Sequence, residues 1–396
     1  MSADGKTIKR IFISDLHMGD DRSLTEHPPE YPYCYGWLRD DANTQRISML
    51  ADFLDYLIQR PDTCDELIIL GDLFDQWVCP AGFEPTTYDR IVNQTTQNQR
   101  VIANLRTMAA SACPITLYYV PGNHDMLTPR DFMEENFPGV QFIGENHIGV
   151  FQQGDLAAEH GSQYTLFCAP NPGMGGQLPI GFYISRAAAN KKAASGGDDI
   201  DIGEALDAII HDFFKDITSF YLTGMKELYE AIAQGMGLKL DSTIVMNGLD
   251  NVPGAPTVEE VADNYADLWK EWERIRPQGV SSIQAMMNEV FHLHGVAERH
   301  YFKPDTAKIA IFGHTHKYTM RGYHRHDSRL DDCLTSSCCD YIYANSGTWI
   351  NSHKYCTYVQ TELNPAENKH YVRINRYESQ QNPAVPMGEK YIEINK

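Results

Sequence analysis

The sequence contains nothing close to the roughly 18–20 consecutive apolar residues of a membrane-spanning helix. Its opening, MSADGKTIKR, lacks the apolar stretch of a secretory signal. A soluble, cytoplasmic protein is therefore expected. Positive charge is scarce: 33 Lys plus Arg face 53 Asp plus Glu, a formal net charge of −20. Such a surface repels nucleic acid and anionic membranes over most of its area. A phosphate-bearing partner then needs a local positive centre, and a metal cluster is one way to supply it. No C-x-x-C pair occurs among the nine cysteines, which cannot all pair within one chain. The cluster CLTSSCC (Cys333, Cys338, Cys339) reads as a loop of free thiols, with a disulfide or an accessory metal site as the alternatives. Internal repeats and low-complexity segments are also missing.

What is present is 396 residues, 42% of them hydrophobic, enough for a large core and two or three domains. Four short apolar runs have the composition of buried strands: Lys9–Ser14, Glu66–Leu70, Ile115–Val120 and Lys308–Phe312. Each is β-branched or aromatic and bounded by Gly, Pro or Asp. Strands apolar on both faces suit a sheet covered on both sides. Asn43–Gln59 carries apolar residues at helical spacing, and Tyr88–Ala110 is a second, more polar helix candidate. The first half thus reads β-α-β-α-β, a wound α/β unit.

The texture changes at about residue 170. A Gly/Pro-rich loop, a break at Lys191–Asp199 and amphipathic helices over Ile202–Gln234, Val258–Arg276 and Ser281–Arg299 read as a helical insertion, 170–304. It interrupts a catalytic domain made of 1–169 and 305–396. Its stripes read as internal core, with a cap over the cleft or a homo-oligomer surface left open. After His316 the pattern alternates, and a mostly antiparallel second sheet is expected.

The chemistry stands at the strand ends. Asp15 and His17 follow the first run, Asp72 and Asp75 the second, Asn123, His124 and Asp125 the third, and His314 and His316 the fourth; His160 stands in AAEHGSQ. Sites in open α/β sheets lie outside the carboxyl ends of strands, so these clusters can converge. They offer carboxylate, imidazole and amide groups and no thiolate, a set suited to Mn, Fe, Zn, Co or Mg. Seven ligands exceed what one ion takes from protein, whereas a shared carboxylate would let them serve two. Gly71, Gly122 and Gly313 each precede a candidate ligand, where the backbone must turn sharply.

The series D-x-H, G-D-x-x-D, G-N-H-D, H-G and G-H-x-H, here DLH, GDLFD, GNHD, EHG and GHTH in that order, resembles the calcineurin-like metallophosphoesterases. The resemblance covers roughly residues 7–165 and 305–350. It implies an α/β fold, a two-sheet αββα sandwich, with the helical insertion as an addition. It implies two divalent metal ions, Asp15, His17 and His316 on the first, Asn123, His160 and His314 on the second, and Asp72 bridging. A hydroxide between the ions would attack phosphorus in line. His124 would stabilise charge or protonate the leaving oxygen, and Asp75 would orient His124. Asp125 reads as a turn-fixing residue, and NSGTW (Asn345–Trp349) as a supporting loop.

The implied substrate is a small phosphorylated molecule: a monoester, diester or pyrophosphate. The alternatives are a nuclease, disfavoured by the charge, and a non-catalytic scaffold, disfavoured because every ligand is in place. Of the remaining histidines, His324, His326, His292 and His294 read as structural, and so does His353, with an approach to the site as its alternative. The segment after His17 packs four aromatics between Tyr31 and Trp37. It reads as a loop on the body, or as a lid over the metals.

Overall fold

The computed structural model describes residues 6–24, 34–144, 148–170, 178–194, 217–246, 249, 255–276, 279–290, 293–327 and 329–394. The strands are β1 (Ile8–Ile13), β2 (Glu66–Leu70), β3 (Thr116–Val120), β4 (Gln141–Phe142), β5 (Val150–Gln153), β6 (Leu156–Glu159), β7 (Ile309–Phe312), β8 (Thr319–His326), β9 (Arg329–Asp332), β10 (Tyr341–Asn345), β11 (Cys356–Asn364), β12 (Lys369–Tyr377) and β13 (Val385–Glu393). They form one sheet in the order β13-β12-β11-β1-β2-β3-β4 and a second in the order β5-β6-β7-β10-β8-β9.

The two-residue period of the strands explains the layering. On β1 and β2, Phe12, Ile68 and Leu70 join one core cluster with Leu156, Ala158, Ile309, Ile311, Ile342 and Ala344 of the other sheet. The alternate residues Ile11, Ile13, Leu67 and Ile69 point the other way, into a cluster with Leu50, Leu54 and Leu57 of α1 (Arg46–Gln59) and Val101, Leu105 and Met108 of α2 (Gln99–Ala109). On the second sheet Ala310, Phe312, Tyr341 and Tyr343 face outward onto a helical layer. That layer contains α3 (Ile180–Ala194), α4 (Ile217–Gly235), α5 (Val258–Asn264), α6 (Leu268–Ile275), α7 (Ser282–Val290) and α8 (His294–Ala297). The result is a four-layer αββα sandwich. Each fully buried aliphatic side chain between the sheets contributes about 1.5–3 kcal/mol of hydrophobic stabilisation. Among the described residues no helix is long and apolar enough to cross a membrane.

Several expectations are corrected. The β-rich tail does not form a second sheet of its own. β8, β9 and β10 complete the second sheet, while β11 pairs antiparallel with β1 (Phe12 opposite Val359) and carries β12 and β13 into the first. Alternation fixes which face of a strand is buried, not which neighbour it pairs with. The helix expected over Tyr88–Ala110 is interrupted at Thr95, which is extended (ψ 113°) and whose Oγ1 donates to Arg90 O at 2.8 Å. Val258–Arg276 is likewise two helices, parted at Tyr265. Lys191–Ala194, expected in a break, end α3. That helix escaped the pattern because Phe182, Ile184, Ala187, Ala188 and Ala189 bury more than one face and leave no polar stripe. Residues 195–199, 202–216 and His292 lie outside the described residues, as do Tyr31 and Tyr33. All nine cysteines are free thiols, and Cys339 Sγ lies 2.8 Å from Cys333 Sγ.

Candidate active site

Six parallel strands aim at one place. β1, β2 and β3 are parallel neighbours in the first sheet, and β6, β7 and β10 in the second. The turns after their carboxyl ends meet at one rim of the sandwich. There the structure brings together every residue named for the site: Asp15, His17, Asp72, Asp75, Asn123, His124, His160, His314 and His316.

The turns are tightly wound. Asp15, His17, Asp72, His314 and His316 all have positive φ, between 52° and 69°. Non-glycine residues rarely adopt this region, and such strain gathers at functional sites. The glycines answer a different need. A Cβ on Gly122 would stand 2.2 Å from Asp72 Oδ1, and one on Gly71, itself at φ +84°, 2.3 Å from His160 Nδ1. Both are close approaches no side chain could share. Asp125 ties the second and third turns together. Its Oδ1 accepts from Gly122 N at 2.7 Å and its Oδ2 from Leu73 N at 2.8 Å. Its turn-fixing reading agrees with these bonds.

The polar atoms converge in two groups about Asp72. In the first, His17 Nε2 is 3.1 Å from His316 Nε2, and His316 Nε2 is 3.3 Å from Asp15 Oδ1. In the second, His160 Nε2 is 3.0 Å from Asn123 Oδ1. His314 Nε2 lies 3.2 Å from Thr165 Oγ1, and its ring is 5.2 Å from that of His160. Asp72 Oδ2 stands between the groups, 3.7 Å from His17 Nε2 and 3.3 Å from His160 Nε2. Asp15 and Asp72 are fully or almost fully buried.

Hydrogen bonding suits this donor set to cations. His17 Nδ1 is engaged by Asp75 Oδ2 at 3.1 Å, and His160 Nδ1 donates to Leu70 O at 2.9 Å. With those nitrogens protonated, His17 Nε2 is turned on His316 Nε2, and His160 Nε2 on the oxygens of Asn123 and Asp72, where a proton or a cation must lie between them. Asp15 Oδ1 is buried without a hydrogen-bond partner. Unpaired acceptors turned on one another are costly unless a positive centre lies among them. Charge agrees: burial resists ionisation of Asp72, yet the surrounding imidazoles hold its carboxyl well below the usual range. Burial likewise opposes charge on His160, but Asp72 outweighs it and pushes the imidazole up to about 10. His314, with burial and His160 acting together, falls to about 3.

Asp75 has another task. Its Oδ1 accepts from His124 Nδ1 at 3.0 Å, Trp77 N at 2.9 Å and Val78 N at 2.8 Å, while Oδ2 takes His17. Both oxygens are engaged, so Asp75 buttresses two histidines rather than the one expected. Burial disfavours charge on His124, but Asp75 and Asp72 more than compensate and raise its pKa.

Sequence reasoning missed Ser14 and the particular bonds that support the site. Ser14 Oγ donates to Asp15 Oδ2 and lies 2.6 Å from Ser346 Oγ. Thr348 Oγ1 donates to Asp15 O at 2.7 Å, and Asn345 Nδ2 to Gly313 O at 2.7 Å. Thus NSGTW props the turns that bear Asp15 and His314. These bonds agree with its reading as a supporting loop. The half-buried Trp37 sets its ring 4.6 Å from that of His17, and His353 stands 5.9 Å from His316. The aromatic loop therefore reaches the site through Trp37, whereas Tyr35 is buried in the body. His324, by contrast, faces Asp340 at 3.4 Å on β8.

Comparison with known proteins bears on the same segment. The family model for calcineurin-like phosphoesterases matches residues 8–180. UDP-2,3-diacylglucosamine hydrolase of Vibrio cholerae is 24% identical over 166 residues, 40% of this chain and 52% of that protein. The enzyme of the same name from Tolumonas auensis is 27% identical over 126 residues, 32% of this chain and 36% of that protein. The chain thus spans about half or less of the length of these relatives. A dimetal phosphatase from Danio rerio aligns over 98% of this chain and 99% of its own at 12% identity, with a TM-score of 0.36, too low to carry an argument. Through residues 8–180 and the ordered motifs they carry, this part of the chain is similar to the calcineurin-like phosphoesterases.

Proposed function

We propose that this protein hydrolyses a phosphate ester of a small molecule, a monoester, diester or pyrophosphate, with the help of two divalent cations. The observation that carries the reading is Asp72, whose one carboxylate faces both groups of ligand atoms, 3.7 Å from His17 Nε2 and 3.3 Å from His160 Nε2. Asp15, His17 and His316 would hold one ion, Asn123, His160 and His314 the other, and Asp72 both. The set of nitrogen and oxygen donors fits Mn, Fe, Zn, Co or Mg. Bound there, such ions supply Lewis-acid charge that polarises a phosphoryl group and acidifies the attacking water.

The chain's own residues do the rest. Asp75 fixes His124 by Nδ1, which leaves Nε2 as the atom that gives a proton to the leaving oxygen. The raised pKa, driven by Asp75 and Asp72 against burial, favours the protonated form of His124. The turn-fixing bonds of Asp125 hold Asp72 and Asn123 in register. The Trp37 ring lies 5.3 Å from that of His124 and 5.8 Å from that of His316, where it would contact the leaving part of a bound ester.

The test is a panel of p-nitrophenyl phosphate, its bis ester and a nucleotide-sugar pyrophosphate, assayed after chelation and after adding back Mn. Activity that appears only with metal and is lost in His124→Ala supports the reading. Metal-independent turnover, or none with any metal, sinks it.

A further inference from the structure

His124 is pinned by a single side-chain bond, Nδ1 to Asp75 Oδ1 at 3.0 Å. One hydrogen bond fixes one atom of a ring and leaves its tilt undetermined. The tilt decides where Nε2 points, and a displacement of about 1 Å at a reacting group can cost on the order of 100-fold in rate. Something else must hold the plane.

That neighbour is Trp77. Its indole lies against the face of the His124 ring, centroids 4.6 Å apart and planes 31° apart. The ring of His17 meets His124 edge-on at 4.5 Å and 89°. Trp77 N donates to Asp75 Oδ1 at 2.9 Å, the oxygen that also takes His124 Nδ1. Indole, carboxylate and imidazole therefore share one anchor. Trp77 is only 2% exposed, so its ring is packed rather than free to swing.

What packs it is the helical layer. Trp77 belongs to the apolar cluster of the helices, and the ring of Phe182 on α3 meets it edge-on at 6.0 Å. One turn on, the fully buried Arg186 directs Nε and Nη2 of its guanidinium at the loop that follows Trp77. Nε donates to Cys79 O at 2.6 Å, and Nη2 to Pro80 O at 2.9 Å, Ala81 O at 3.2 Å and Phe83 O. Nη1 donates to Val245 O at 2.9 Å, and Val245 N donates back to Ala81 O at 2.9 Å. A charge that deeply buried is tolerated only when every donor is satisfied, so the loop has one tight seat.

We propose that Trp77 is a positioning residue for His124, and that α3 holds Trp77 in place through Phe182 and Arg186, which makes the helical layer a working part of the active site rather than a covering. The inference rests on the role of His124 as proton donor given above. It adds that donation depends on a residue touching neither the metals nor the substrate.

The experiment compares two substrates with the Mn-loaded enzyme: p-nitrophenyl phosphate, whose leaving group departs without help, and phenyl phosphate, whose poorer leaving group needs a proton. His124→Ala is expected to slow phenyl phosphate by about 100-fold and p-nitrophenyl phosphate far less. Trp77→Ala should repeat that selective loss, on the order of 10-fold or more in kcat, with KM and bound metal unchanged. Trp77→Phe, which keeps a flat ring, should recover most of it. Phe182→Ala should show the same selectivity in weaker form, and it carries the test together with Trp77→Phe if Trp77→Ala does not fold. A loss in these variants equal for both esters, while His124→Ala remains selective, would overturn the positioning role and leave the proton-donor reading standing. A His124→Ala enzyme that does not distinguish the esters would overturn the proton-donor reading itself, and this inference with it.

Discussion

Replacing Asp75 by Asn should damage metal binding and chemistry together, because this carboxylate serves both. Four donors converge on its two oxygens: His17 Nδ1 at 3.1 Å, His124 Nδ1 at 3.0 Å, Trp77 N at 2.9 Å and Val78 N at 2.8 Å. An amide keeps one acceptor and puts an N–H₂ in place of the other. The backbone donors of Trp77 and Val78 hold the remaining oxygen on the His124 side, so the N–H₂ faces His17 Nδ1. Donor then meets donor. His17 must carry its proton on Nε2 instead, on the atom 3.1 Å from His316 Nε2, and it loses the lone pair offered to a cation. Loss of such an outer partner lowers metal affinity by roughly 10–100-fold. At 1.36 kcal/mol per tenfold that is about 1.4–2.7 kcal/mol. The charge that keeps His124 protonated also disappears, so at saturating metal the rate should drop by on the order of 100-fold, as for loss of a general acid. Calorimetric titration of metal-free protein with Mn reads the first effect, and kcat for phenyl phosphate at saturating Mn reads the second. An Asp75→Asn protein with unchanged metal affinity and a reduced kcat would show that the His17 contact is incidental. Unchanged values for both would refute the buttress altogether.

The other predictions separate the same parts. Asp72→Asn should abolish binding of both ions and all turnover, whereas His124→Ala should retain its metals and lose about 100-fold in kcat; metal content by plasma emission spectrometry distinguishes them. Gly122→Ala places a Cβ 2.2 Å from Asp72 Oδ1, so it should weaken metal binding strongly while circular dichroism stays native. In metal-free protein the pKa of His160 is raised to about 10 from its ordinary 6.5, so the folded state binds more protons between those values. That stabilisation is complete below about pH 6.5 and is lost as pH rises through 10. The melting temperature of the metal-free protein should therefore fall over this range, and saturating Mn, which takes the proton's place, should flatten the curve. An equal fall with and without Mn would contradict the assignment of His160.

The sequence disclosed the site more fully than the frame around it. Strand-end position and residue type singled out Asp15, Asp72, Asn123 and His314, and His160 came from the motif EHG; the signal was the convergence of so many such residues in one order, since a single Asp or His at a strand end is commonly a cap or a surface residue. What one-dimensional pattern could not hold was pairing. Tyr358 and Val359 alternate like any two-faced strand, and nothing in them says that β11 lies against β1. Nor could periodicity reveal α3, whose buried residues leave no polar stripe. The positive φ at Asp15, His17, Asp72, His314 and His316 was invisible for a related reason: it is imposed by contacts between turns, such as His17 N donating to Asp72 O at 2.8 Å, and not by residue type. Trp77 stood two residues from Asp75 in plain view. Its importance appears only once the fold lays it against His124.

The most direct test is a crystal of the protein soaked in Mn and measured at the manganese absorption edge. Two anomalous peaks about 3.5–4 Å apart, one on either side of the Asp72 carboxylate, are predicted. A map with no peak at this rim, with the side chains of Asp15, His17, Asn123, His160, His314 and His316 turned away from one another, would contradict it.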